Sequence, residues 1–145
     1  MIALRGNDRA ALQAFSTVLL LPHVFEALDD HFKSLVSIHE LFSRIERNQE
    51  YLFLVFMSGK VVGCVWGELI EDRFMAHMAF NRKCDVQEAF RLIAPLMTDI
   101  GAVYVEGVIP QKNRASRWSF RRFGAEYVGK RYVNGEECFT YIKEL

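Results

Sequence analysis

The chain has 145 residues, of which 51% are hydrophobic and 13% aromatic, so it can bury the core of one domain without disulfides or a metal. Its 18 basic and 18 acidic residues cancel, which gives no whole-molecule argument for binding nucleic acid or a membrane. Three widely spaced cysteines (Cys64, Cys84 and Cys138) form no C-x-x-C pair, which argues against a zinc site or a disulfide framework and favours the cytoplasm.

No targeting or membrane-spanning segment is predicted. The N-terminus, MIALRGNDRA, carries charges where a signal peptide needs an apolar run. No stretch approaches the roughly 18 apolar residues of a transmembrane helix. We therefore expect a single domain over residues 1–145, located in the cytoplasm.

The first third of the chain is predicted to be mostly helical. Residues 2–4 form a short strand, and Asn7 is expected to cap a helix with an apolar face. Pro22 interrupts this pattern because proline breaks a helix interior. Apolar residues then recur at helical spacing from Val24 to Leu28 and again from Leu35 toward Glu50.

The middle of the chain is predicted to form a three-stranded antiparallel meander over residues 51–80. Strand-like runs at 51–57 and 61–69 flank a Ser58-Gly59-Lys60 turn, and a third run follows at 74–80. Gly63 and Gly67 lie inside the second run. Because glycine weakens a strand, these two indicate a bulge or a close backbone approach.

The clearest helix is predicted from Asp85 to about Thr98. Asp85 and Glu88 have the spacing of a capping box at its start, and Pro95 is expected to kink or shorten it. A buried strand follows and ends at Pro110, which has no amide hydrogen to give.

The last part of the chain is predicted to be a helix and a hairpin. The helix begins near Asn113 and stops at Gly124, which can adopt the left-handed conformation that closes helices. Strands at 127–133 and 136–142 flank Asn134-Gly135, a strong hairpin signal. The resulting order, β-α-α-β-β-β-α-β-α-β-β, predicts an α+β fold.

The helix at Asn113 also carries a resemblance. Asn113 is followed by Ser116, Phe120, Phe123 and Gly124, a spacing that resembles the N-x-x-A-x-x-x-Y-x-x-x-G-F segment of GCN5-related N-acetyltransferases. The element order matches that family over nearly the whole chain. The resemblance implies a central mixed, mainly antiparallel sheet flanked by helices. The run from 16 to 30 also resembles small acetyltransferase-like proteins of bacteriophages.

The resemblance implies a site for acetyl-CoA. In the family the cofactor lies between the strands that precede and follow the helix at Asp85, and its pyrophosphate binds backbone amides at that helix's N-terminus. The family's phosphate loop reads R-x-x-G-x-G/A. The implied cofactor-binding residues of this chain are Phe80, Arg82, Lys83, Cys84, Asp85, Val86, Gln87, Asn113, Ser116 and Phe120.

Three of these positions depart from the family pattern. Asp85 stands at the first glycine and Gln87 at the small residue. An Asp cap is expected to use the amides that a pyrophosphate needs and to add a charge that repels phosphate. Arg82 and Lys83 partly offset this charge. Phe120 stands where the family often has a tyrosine that acts as the general acid, and a phenyl ring cannot donate a proton. Asp85 is either an ordinary N-cap or part of a rearranged phosphate site.

Two residues are candidates for the general base that would deprotonate an amine. His77 lies in the predicted strand 74–80, and histidine titrates near neutral pH; otherwise it is a buried, hydrogen-bonded histidine. Glu106 lies in the strand across the expected gap; otherwise it is a solvated carboxylate.

The sequence also contains a local excess of positive charge. Between residues 112 and 131 there is one acid, Glu126, against seven basic residues: Lys112, Arg114, Arg117, Arg121, Arg122, Lys130 and Arg131. This stripe either attracts the phosphates of CoA, meets a nucleic acid or acidic partner, or is a solvated helix face. The balanced whole-chain charge disfavours nucleic acid.

Two functions are therefore expected from the resemblance. The first is direct transfer of an acetyl group from acetyl-CoA to a primary amine of a small molecule or a protein, with no metal. The alternative is a non-catalytic member of the fold, of the phage type, that serves as a binding or assembly protein. A homodimer or a protein assembly partner remains open.

Overall fold

The computed structural model of the chain describes residues 1–27 and 35–145. Within these ranges it has seven strands and five helices: β1 (Ile2–Arg5), α1 (Arg9–Leu19), α2 (Pro22–Ala27), α3 (Leu35–Glu46), β2 (Tyr51–Met57), β3 (Lys60–Ile70), β4 (Arg73–Phe80), α4 (Val86–Asp99), β5 (Tyr104–Pro110), α5 (Arg114–Arg122), β6 (Glu126–Val133) and β7 (Glu136–Glu144). No helix in these ranges is long and apolar enough to cross a membrane.

The strands form one sheet in the order β1-β2-β3-β4-β5-β7-β6. Neighbouring strands run antiparallel, except that β4 and β5 run parallel. The exception arises because α4 connects these two strands, and parallel strands need such a crossover. The predicted α+β fold with a mixed, mainly antiparallel sheet is confirmed.

Helices cover both faces of the sheet. Phe90 and Ile93 of α4 pack with Phe53 and Phe74 on one face, together with α5. On the other face, α1 and α3 pack against a second group of side chains that includes Trp66. Successive side chains of a strand point to opposite faces, so alternate residues of the same strands supply these two cores.

The predicted meander is confirmed, and so is the reason for its glycines. A Cβ atom on Gly67 would lie 1.8 Å from the carbonyl oxygen of Met75, and one on Gly63 would lie 2.1 Å from the Phe80 ring. A register shift between Val55 and Phe56 of β2 marks a bulge opposite this region. Both the close approach and the bulge therefore occur here.

The first helix begins one residue later than predicted. Asp8, and not Asn7, is the N-cap of α1, since its Oδ1 accepts from the Ala11 amide at 2.9 Å. Asn7 instead donates from Nδ2 to Oδ1 of Asn48 at 3.1 Å. Because Asn and Asp cap equally well, only such a tertiary contact decides which of the two adjacent residues is the N-cap. The predicted helical position of Leu28 lies outside the described residues.

The later helices and the hairpin follow the sequence signals closely. Helix α4 continues through Pro95 to Asp99, so the proline does not shorten it. Gly124 has a φ of 97° after α5, as a glycine stop requires. Asn134 and Gly135 have φ values of 51° and 79°, which both central residues of a type I′ turn need.

Candidate functional site

A cleft opens where β4 and β5 separate. The two strands pair only at Arg73–Tyr104, Phe74–Val105 and Met75–Glu106, although β4 continues to Phe80 and β5 to Pro110. On its other side β4 stays paired with β3 up to Phe80. The separation therefore leaves one edge of β4 without a neighbouring strand.

The backbone of β4 presents hydrogen-bonding groups to this cleft. The amide of Asn81 donates to Val62 of β3 at 2.8 Å, so Asn81 points away from the cleft. Because the direction alternates along a strand, Ala76, Met78 and Phe80 point their N–H and C=O groups into it. One of these groups has a side-chain partner, since Nε2 of His23 on α2 lies 2.9 Å from the carbonyl oxygen of Phe80.

Two adjoining cavities occupy the cleft, with volumes of about 120 Å³ and 380 Å³. Residues of α2, β4 and α5 line both of them: Ala27, Met78, Asn113 and Ser116. The smaller cavity reaches Trp66, His77 and Phe120. The larger one reaches His23 and the loop before α4, including Arg82 and Cys84.

In the loop before α4, some backbone amides donate hydrogen bonds to acceptors in the same loop. Oδ1 of Asn81 accepts from the Lys83 amide at 3.0 Å, and the Asn81 carbonyl accepts from the Cys84 amide at 2.9 Å. Asp85 is the N-cap of α4, and its Oδ1 accepts from the Glu88 amide at 3.2 Å.

The cap leaves part of this helix end open. The described residues provide no hydrogen-bond acceptor for the amides of Asp85, Val86 and Gln87. We expected the cap to use the amides that a pyrophosphate needs, but it uses only that of Glu88. Three consecutive donors therefore remain, as at other helix ends that bind anions, and the middle residue, Val86, lines the larger cavity.

The comparisons with known proteins were made at two levels. At the level of sequence, no protein-family model and no curated protein matches. At the level of structure, the aminoglycoside acetyltransferase AAC(6')-Ib in complex with coenzyme A and kanamycin has a TM-score of 0.76 and 11% identity, covering 98% of this chain and 94% of that one.

Two further solved structures are similar over nearly their full length. An acetyltransferase from Salmonella typhimurium, which modifies the N-terminal serine of ribosomal protein L7/L12, has a TM-score of 0.73 and 12% identity, covering 100% of this chain and 96% of that one. A probable acetyltransferase from Staphylococcus epidermidis has a TM-score of 0.75 and 13% identity, covering 99% of both chains. This chain has the GCN5-related N-acetyltransferase fold.

Within this acetyltransferase fold, His77 lies at the cleft. Its side chain is exposed, lines the smaller cavity and stacks on Trp66, with 5.5 Å between ring centres. His77 is therefore not buried, as the alternative interpretation required. The Trp66 ring beside it is 2% exposed, so one face of the imidazole packs against a fixed surface.

Glu106 is placed differently. It is 6% exposed and its carboxylate lies 3.7 Å from the guanidinium of Arg73, so it is not the solvated carboxylate of our alternative interpretation. It pairs with Met75 at the last position before the strands separate, on the same sheet face as His77. It lines neither cleft cavity. The structure thus brings His77, and not Glu106, to the cavity wall.

The α5 side of the cleft is built around Phe120. Asn113 caps α5, with its Oδ1 accepting from the Ser116 amide at 3.2 Å, and both residues line the cavities. The Phe120 ring is 1% exposed and packs on the backbone of Gly107, where a Cβ atom would lie 2.6 Å from the ring. Phe120 therefore acts as an apolar wall between the core and the smaller cavity.

Cys84 is not a reactive thiol. It is buried, and burial, followed by the charges of Asp85 and Glu88, raises the pKa of its thiol to about 11. At neutral pH the thiol is protonated, whereas the thiolate is the nucleophile. The residue belongs to the wall of the larger cavity.

Sequence reasoning missed His23 and Asn81. The contact of His23 with Phe80 joins residues 57 positions apart, and no local pattern signals it. Asn81 had a detectable signal, because asparagine often accepts from the amide two residues on, as it does here with Lys83.

Proposed function

We propose that this protein transfers an acetyl group from acetyl-CoA to a primary amine in one ternary complex. The observation that carries the proposal is the cleft between β4 and β5, with an unpaired strand edge on one side and open amides at the N-terminus of α4. A fold alone does not fix a function, so the fit of these residues to the cofactor decides whether the cleft can bind it.

The backbone of the site fits acetyl-CoA. The amides of Val86 and Gln87 would hold the pyrophosphate, with Arg82 at the cavity wall supplying a positive charge. The cleft-facing groups of Met78 and Ala76 would pair with the amides of the pantetheine chain. When bound, acetyl-CoA supplies an activated acetyl thioester. The negative charges of Asp85 and Glu88 oppose binding and make the site weaker than its backbone geometry permits.

His77 is the proposed general base. An amine must lose a proton to attack, because a typical primary ammonium has a pKa near 10. The ammonium would first give one proton to water, and the imidazole at the wall of the smaller cavity would take a second proton from the attacking amine as the new N–C bond forms and the C–S bond breaks. Phe120 has no proton to return, so the thiolate would leave as the anion or take a proton from water. Glu106, beside Arg73, is the second candidate base.

A second candidate function is that of a binding protein that has kept the fold and lost the chemistry. Two observations favour it: Asp85 has the geometry of an ordinary helix cap, and Phe120 is fully packed in the core.

The proposed acceptors under the first function are primary amines of the kind that structural neighbours act on, namely aminoglycosides, spermidine and protein N-termini.

Calorimetric titration with acetyl-CoA and with CoA at low salt tests the proposal. We expect a dissociation constant in the micromolar range, about −8 kcal/mol at 1 μM. Absence of binding up to about 1 mM, or about −4 kcal/mol, would remove the acetyl-CoA site and leave the binding-protein function.

An acetylation assay then tests the base. With a panel of kanamycin, spermidine and N-terminal peptides, His77→Gln should lower kcat about 10² to 10⁴-fold. His39→Gln is the matched control, because His39 is an exposed histidine on α3. If Glu106→Gln shows the loss and His77→Gln does not, the base is Glu106.

A further inference from the structure

The outward side of α5 forms a second surface, which meets the larger cleft cavity at Ala115. Two shallow grooves lie along it and share Arg117 and Arg121. The residues that line them come from α5, β6 and β7, and we call them together the α5 outer surface: Arg114, Ala115, Arg117, Trp118, Arg121, Tyr127, Phe139 and Tyr141. The opposite side of the same helix supplies Ser116 and Phe120 to the cleft. One helix thus serves two surfaces.

The α5 outer surface has positive charge that the protein does not neutralise. Lys112 and Lys130 nearby form ion pairs with Glu136 and Glu137, at 3.1 Å and 3.3 Å. In contrast, no carboxylate of the described residues forms an ion pair with an arginine of α5: Arg114, Arg117, Arg121 or Arg122. The first turn of α5 has no acid either. Although the whole chain is neutral, this helix carries four unpaired guanidinium groups.

Aromatic rings lie among these arginines. Trp118 is 60% exposed, and the guanidinium of Arg122 lies 4.4 Å from the centre of its ring. Arg117 lies 5.0 Å from the ring centre of Phe139, and Tyr127 of β6 is 51% exposed beside it. Guanidinium groups can pair with phosphates, while bases can stack on exposed aromatic rings beside them.

Two other occupants are disfavoured by the geometry. A second copy of the chain across a two-fold axis would place these arginines against the same arginines, which repel one another. A peptide strand added to β6 meets the irregular register between Tyr127 and Gly129 and the charges of Lys130 and Arg131, devices that protect sheet edges.

We propose that the α5 outer surface binds single-stranded nucleic acid. The arginines would contact successive phosphates, and the bases would stack on Trp118 and Tyr127. The net charge of the whole chain gave no reason to expect such binding, because acids elsewhere in the chain cancel the positive charge of this surface. The proposal does not depend on acetyl transfer, because the cleft lies on the other side of the helix.

Fluorescence titration with oligo(dT) and oligo(U) tests this proposal. A length of about 12 nucleotides lies within the site sizes of single-strand binding proteins. The chain has two tryptophans, and Trp66 is 2% exposed, so quenching reports on Trp118. We expect quenching that Trp118→Phe abolishes, and a binding constant that falls with salt. In the double variant Arg114→Ala/Arg121→Ala the affinity should fall at least about tenfold and the log–log salt slope by about 1.4. Arg91→Ala is the matched control, since Arg91 is an exposed arginine on α4.

Three results would overturn the proposal. The first is no binding at about 50 mM salt, where phosphate contacts are strong. The second is an equal loss of affinity in Arg91→Ala, which would show that the attraction is not local to α5. The third is that poly-glutamate binds as tightly as the oligonucleotides and that neither changes Trp118 fluorescence, which would assign the surface to an acidic protein.

Discussion

Two helix N-termini border the cleft, and their caps have the same geometry but differ in charge. Asp85 caps α4 and Asn113 caps α5, and each cap accepts from the amide three residues on at the same distance, 3.2 Å. Asp85 is charged, and Glu88 adds a second acid in the first turn of α4. Asn113 is neutral, and the first turn of α5 has no acid.

The difference shows that backbone geometry and electrostatics are independent requirements for binding an anion. A helix N-terminus carries about half a positive elementary charge. At α4 the carboxylates of Asp85 and Glu88 oppose this positive charge. At α5 the same partial charge is not opposed. The end of α4 has the open amides, whereas the end of α5 has the favourable charge.

The largest expected effect comes from displacing α5 by a substitution at Gly107, which Phe120 of α5 contacts. Gly107→Ala would place a Cβ atom 2.6 Å from the Phe120 ring, so the ring and α5 must shift. Overpacking of this kind lowers the free energy of unfolding by about 1–3 kcal/mol. Urea denaturation measures it. In the Phe120→Leu background, where the ring is absent, the same substitution should cost less; an equal cost would show that the ring is not what fixes α5.

A mirrored pair of substitutions tests the charge difference directly. Asp85→Asn should tighten binding of CoA about fivefold, and Asn113→Asp should weaken it by a similar factor, about 1 kcal/mol each at low salt. Asparagine and aspartate cap equally well, so thermal stability should hardly change in either variant. Calorimetric titration at low and high salt measures both effects, which should shrink as salt rises. Shifts of the same sign in both variants would contradict the comparison.

The smallest expected effect is the titration of Cys84. Its pKa is raised from 9.0 to about 11, so the folded state holds the proton more tightly than the unfolded state. The resulting stability is complete below pH 9 and is lost as the pH rises through 11. Labelling with iodoacetamide, followed by peptide mass spectrometry, should be slow at neutral pH and faster in Asp85→Asn. Fast labelling of the unmodified protein at neutral pH would contradict this assignment. Cys64 is an internal control, because burial raises its pKa further still.

Much of the fold was predictable because local chemistry marks the ends of its elements. The Asn134-Gly135 turn, the Asn113 cap and the Gly124 stop each appear in the structure as the sequence indicated. The mixed sheet that the resemblance implied is also present, and its parallel pair is β4 and β5, the two strands that α4 connects. Such signals act within a few residues, so one sequence is sufficient to detect them.

The parts that were not predictable depend on contacts between distant segments. The ion pair of Glu106 with Arg73 and the packing of Phe120 on Gly107 appear only when strands and helices are assembled. The same holds for His23 at the carbonyl of Phe80. Residue type determined what chemistry each side chain could perform, but burial and partners decided which side chains reached the cavity.

The short parallel pairing of β4 with β5 divides the sheet into two halves. Strands β1 to β4 lie on one side of it and β5, β7 and β6 on the other, joined in the ladder by only three residue pairs. Amide hydrogens at this junction should therefore exchange with solvent faster than those in the β2–β3 ladder, because opening them breaks few cooperative contacts. We therefore expect the sheet to open first along the cleft, although one hydrophobic core joins its two halves.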